Sequence, residues 1–133
     1  MSSTNFAKNK SQDFIFGAIS FTPPGNYYLG LSTSTISSSG SNATEPSGAN
    51  YARVALPNTK STFTYSSSGC LVNNALVSFP QSSGSWGTII NIGLWDSLTS
   101  GSIYYYTTLN PAIVIQANTT VTFSASAITI SQS

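Results

Sequence analysis

The sequence predicts an all-β chain, an antiparallel β-sandwich or jelly roll with a short N-terminal helix. Three observations carry this reading. Runs rich in Val, Ile, Tyr, Phe and Trp recur at short spacing. Most end at Pro, Gly, Asn or Ser, the residues that turn a chain. Within several runs, apolar and small polar side chains alternate with the two-residue period of a strand that buries one face.

Taken in order, residues 3–19 form the one helical pattern. Ser3 or Thr4 can cap it, and Phe6, Ala7, Lys10, Phe14 and Ala18 fall near one face. Gly17 and the turn Pro23, Pro24, Gly25 end it. Residues 26–34 read as a strand. A long polar stretch, 35–50, reads as a loop of the kind that carries contacts. Strands follow at 51–56, 62–65 and 71–79, the first and last ended by Pro57 and Pro80. After a Ser/Gly loop at 81–85, residues 88–95 place Ile90, Ile92 and Leu94 inward. A turn at 96–101 leads to strands at 103–109, 113–115 and 120–130. In the last, apolar positions change parity near Ala127 and Ile128, which predicts a bulge. The organisation is therefore a helical segment, 1–19, and a sandwich domain, 20–133.

Composition narrows the function. Of 133 residues only 5% are charged, against about 25% in an ordinary soluble domain. The net charge is +1, and polarity comes from Ser, Thr and Asn. Such a surface has little electrostatic repulsion and suits a protein that lives packed against neighbours. Nucleic-acid binding is not expected, because Lys8, Lys10, Arg53 and Lys60 are too few and scattered to displace counterions. No stretch has the length of a transmembrane helix and no signal peptide is expected, so no membrane partner is predicted. Cys70 lies in an apolar run and reads as a small buried hydrophobe.

The catalytic inventory is nearly empty. The chain has no His, and its carboxylates are Asp13, Glu45 and Asp96. No Ser-His-Asp or Cys-His arrangement can be built, and zinc has no ligand set. No enzyme activity, metal or cofactor is expected. The run Tyr104, Tyr105, Tyr106 has two readings. Strand alternation puts Tyr104 and Tyr106 on one face, either packed in the core or offered as a platform to a sugar ring or partner protein. Trp86 and Trp95 read as core.

Three stretches resemble a family of small bacteriophage virion structural proteins, often labelled tail fibre or minor structural proteins and similar to jelly-roll cement proteins of phage heads. The first is Asn5, Phe6, Ala7 and Lys10, then Tyr28 through Thr33 in the form Y-L-x-L-x-T. The second, Thr44 through Arg53, follows T-E-x-S-G-x-x-Y-A-R. The third comprises Asn73, Ala75, Phe79 and Pro80, then Trp86-Gly87-Thr88 and Ile92-Gly93-Leu94-Trp95-Asp96. The resemblance spans nearly the whole chain. It departs in the first helix, where charged residues are mostly replaced by Asn, Ser and Gln.

The resemblance implies a virion protein made in the host bacterial cytoplasm. The main expectation is a head decoration protein that bridges major capsid protein subunits, as a dimer or trimer. The alternative is a tail component, such as a fibre or receptor-binding protein recognising a cell-surface glycan. Among the candidate contact residues, Glu45 and Arg53 either pair across the polar loop, fixing its shape, or lie exposed and contribute little. Phe6, Phe14 and Phe16 belong either to a projecting arm that attaches the chain to a particle or to a plug in the sandwich's own core. Asp96 is expected to cap the turn that follows it.

Overall fold

The computed structural model describes residues 1–66 and 70–130. Among them, ten strands and one helix follow in the order β1 (Ser2–Ser3), α1 (Asn5–Phe16), β2 (Asn26–Ser32), β3 (Val54–Pro57), β4 (Phe63–Tyr65), β5 (Leu71–Asn73), β6 (Val77–Ser78), β7 (Gly87–Trp95), β8 (Ile103–Ile115), β9 (Thr122–Phe123) and β10 (Thr129–Ile130). A five-stranded sheet has the order β1-β8-β7-β2-β3. Two smaller sheets, β10-β5-β4 and β6-β9, make up the rest, and every pairing is antiparallel.

One face of the large sheet packs on both small ones. Leu29, Leu31, Ile92 and Leu94 meet Phe63, Val77, Ile128 and Ile130 in a single apolar core. Leu29 and Leu31 are fully buried, which at ordinary transfer energies stabilises by about 1.5–3 kcal/mol each. The all-β sandwich with a short helix is thus present, with its second layer split in two. The opposite face of the large sheet carries a smaller cluster of Ile36, Trp95 and Ile103.

Several element boundaries differ from the expected ones, for identifiable reasons. The 71–79 run divides at Asn73, whose amide donates to Ala75 O and Ser124 O, both at 2.9 Å, while its Oδ1 accepts from Ile128 N at 2.9 Å. Those bonds turn the chain out of one small sheet and into the other. Residues 120–130 likewise split into β9 and β10, so the change of parity marks a break between sheets rather than a bulge. By contrast, 103–109 and 113–115 are one strand. Ile89 pairs with Ile113 and Asn91 with Thr108, so residues 109–112 bulge opposite Ile90. The bulge resets the face, and Ile89 rather than Ile90 joins Ile92 and Leu94 in the core. The 51–56 strand begins only at Val54, and Cys70 is half-buried.

The helix is shorter than its pattern. Thr4 is the cap: its Oγ1 accepts from Ala7 N at 3.3 Å and donates to Ile103 O at 2.6 Å. Its backbone N–H donates to Tyr104 O at 2.9 Å, and Asn5 N donates to Ser38 O at 2.8 Å. The first turn is therefore bound to β8 and to the polar loop.

Candidate functional site

The polar loop between β2 and β3 is held down by side chains from all three stretches of the family resemblance. Its foundation is the pair Gly30 and Gly93, which face each other across β2 and β7. A Cβ at either position would come within 2.7 Å or 2.8 Å of the Trp95 ring. Only hydrogen side chains let the indole lie on the sheet at this distance. The Arg53 guanidinium covers the ring, with its carbon 4.2 Å from the centroid. Sheet, indole and guanidinium thus form a stack.

Glu45 closes the arrangement. Arg53 Nε donates to Glu45 Oε1 at 2.9 Å and Nη2 to Oε2 at 2.7 Å, a two-point pair. Arg53 Nη1 donates to Ser97 O at 2.6 Å and Ser100 O at 2.8 Å, reaching the turn after β7. The Arg53 side chain is 5% exposed and that of Glu45 24%, so the paired reading of these two residues holds and the exposed reading does not. Tyr51 adds a third support. Its hydroxyl donates to Glu45 Oε1 at 2.7 Å and accepts from Leu31 N at 2.9 Å. Burial, reinforced by Glu45, pushes the Tyr51 phenol far above its ordinary range, against a smaller opposing effect of the Leu31 N–H. Trp86 packs edge-on against Tyr51 and donates to Ala49 O at 2.9 Å. Asp96 caps its turn, accepting from Ser102 N at 2.8 Å.

This constellation binds a loop to a sheet. Both Glu45 oxygens are engaged, and Arg53 is satisfied on three nitrogens. Both residues also line an open cleft of about 300 Å³ with Leu98 and Thr99, and there their polar atoms already have partners within the chain. Sequence reasoning singled out Glu45 and Arg53 but not the stack they complete. Gly93 and Trp95 stood in one quoted motif, and Gly30 is the first x of Y-L-x-L-x-T, yet only the sheet register brings them together.

The aromatic run is arranged differently from the expectation. Tyr105 pairs with Leu94 and Ile103 with Trp95, leaving Tyr104 as an extra residue in a bulge. Tyr104 and Tyr106 consequently do not share a face. Tyr104 is buried and packs edge-on against Tyr27 and Phe6, each at 5.3 Å. Tyr106 packs against the cluster of Ile36, Trp95 and Ile103. The Tyr104–Tyr106 platform is therefore absent, because a single inserted residue reverses the alternation. Phe6 joins the body through Tyr104, whereas Phe14 is 52% and Phe16 85% exposed. The latter two do not plug the core.

A family model described as podophage GP4 fiber I protein gp80 matches residues 2–131. The chain belongs to this family. No curated protein matches it. Membership in the fiber I family makes it a phage virion structural protein, and the resemblance read from the three stretches is a family relation. The residues of those stretches that converge in the fiber I fold build the loop clamp just described. Among the described residues, no helix is long and apolar enough to cross a membrane.

Proposed function

We propose that the chain is a non-catalytic component of a phage tail fibre that assembles with further copies of itself. The family match over residues 2–131 carries the reading. It favours a fibre over the head decoration expected first from the sequence. The clamp supports a structural role, since the most buried charges are engaged with each other and with the loop and turn they hold. Self-association draws support from the end of α1, where Phe14, Ile15, Phe16 and Ile19 are exposed on a nearly uncharged chain. Exposed apolar side chains grouped in this way mark contact surfaces. We assign the helix tip to a second copy of the chain, because with 5% charged residues like copies meet little repulsion.

Antibody labelling of intact virions followed by electron microscopy tests the location. Label on tail appendages is the expected outcome. Label distributed over the head would replace the fibre reading with the decoration one.

A further inference from the structure

The two layers of the sandwich part beside the start of β2 and enclose an open cleft of about 210 Å³. Phe63 and Leu94, both buried core residues, close its depth, and Tyr27 and Tyr105 line it as half-buried rings. Thr59 and Lys60, from the turn after β3, stand among its polar lining. The cleft thus combines aromatic faces, phenolic hydroxyls and one cation.

The Thr59 hydroxyl is engaged with Ser61 Oγ and with Thr62, so the groups that meet a ligand are the Tyr27 and Tyr105 hydroxyls and the Lys60 ammonium. Burial is the main cause that raises both phenols, Tyr27 to about 12. At neutral pH each keeps its proton and can donate. The Lys60 ammonium lies 4.3 Å from the centroid of the exposed Tyr65 ring, a contact that orients the charge without neutralising it. The ion pair found among the described residues joins Arg53 to Glu45 and leaves Lys60 without a carboxylate partner. Asp96 acts electrostatically on Tyr27, but it lies outside the cleft lining and its Oδ1 is held by Ser102 N.

We propose that this cleft binds one acidic sugar residue, of the hexuronate class, from a cell-surface polysaccharide. The C–H face of a pyranose ring packs on tyrosine, its hydroxyls exchange hydrogen bonds with Tyr27 and Tyr105, and its carboxylate meets Lys60. The volume is below the roughly 300–1,000 Å³ of pockets that enclose drug-sized ligands, which suits one ring rather than a longer oligosaccharide. The inference rests on the fibre reading only for the occasion on which a polysaccharide is met.

The test is a nuclear magnetic resonance titration of the free chain with glucuronate, glucose and an uncharged tyrosine peptide amide. Glucuronate is expected to move the Tyr27 and Tyr105 ring resonances, with glucose about 5-fold weaker, the scale of one exposed ion pair. Lys60→Met, a change at an exposed position, is expected to remove the difference between the two sugars. Tyr105→Phe, which keeps the ring, is expected to weaken both. The proposal is overturned if glucuronate leaves those resonances unmoved, if the peptide amide binds there more tightly, or if Lys60→Met preserves the preference. The titration needs no virion, so its failure is separate from a failure to find the protein on the tail.

Discussion

The Arg53 guanidinium lies on the ring of Trp95, 4.2 Å from its centroid, while its nitrogens hold Glu45 and two carbonyls of the following turn. Removing one partner of a buried pair leaves the other charge uncompensated, which typically costs about 3–5 kcal/mol. Arg53→Ala is expected to lower unfolding stability on that scale. Arg53→Lys is expected to recover little, because an ammonium cannot reproduce the planar two-point pair or the stack. Urea denaturation measures both. A loss below about 1 kcal/mol for Arg53→Ala would mean that the pair behaves as an exposed one.

The glycine floor gives a steric prediction. Gly30→Ala and Gly93→Ala each drive a methyl into the Trp95 ring, and at Gly30 also to 2.9 Å from Glu45 Oε1. Overpacking of this kind costs about 1–3 kcal/mol. Gly25→Ala is the control, since its Cβ would meet nothing within 4 Å. Thermal melts should separate the first two variants from the third. Equal melting temperatures would show that the indole can shift at no cost.

The N-terminal segment has two parts with different consequences. Thr4→Val removes the cap and a buried hydroxyl bond, and a loss of about 1–2 kcal/mol is expected. Deleting residues 1–19 also removes β1 from the edge of the large sheet and is expected to lower the melting temperature. An unchanged melting temperature after that deletion would restore the reading of the whole segment as a detachable arm.

The helix tip should respond in the opposite way. Phe14→Ser with Phe16→Ser alters side chains that are exposed, so the monomer should melt as before. Sedimentation is expected to show weakened self-association. Assembly indistinguishable from that of the unaltered protein would remove the tip as the contact.

Alkaline pH supplies a further check. An unfolded tyrosine titrates near 10, while burial, with Tyr104, Tyr105 and Asp96 nearby, pushes Tyr27 to about 12. Between those values the unfolded chain releases a proton that the folded chain retains. The stability contribution is therefore whole below pH 10 and is lost as pH rises toward 12. Tyr51, Tyr104 and Tyr105 are shifted in the same direction. Tyr27→Phe is expected to flatten the decline in the urea midpoint over this interval. A decline of unchanged slope would exclude Tyr27 as a contributor.

Much of the fold was legible in one dimension. Turn residues and two-residue alternation announced a strand-rich sandwich, because those signals act over a few neighbouring residues. The scarcity of charge made Glu45 and Arg53 conspicuous, and the motifs around them carried the family. Tertiary structure decided what depends on pairing between distant strands. The bulge at Tyr104 separates it from Tyr106, and the one opposite Ile90 exchanges that residue for Ile89, because the extra residues show only against β7. Asn73 splits a run through bonds to residues some fifty positions away. Gly30 and Gly93 become a floor for Trp95 only when β2 and β7 align. Local pattern determined which residues form strands, whereas register, which no local signal encodes, determined which side chains meet.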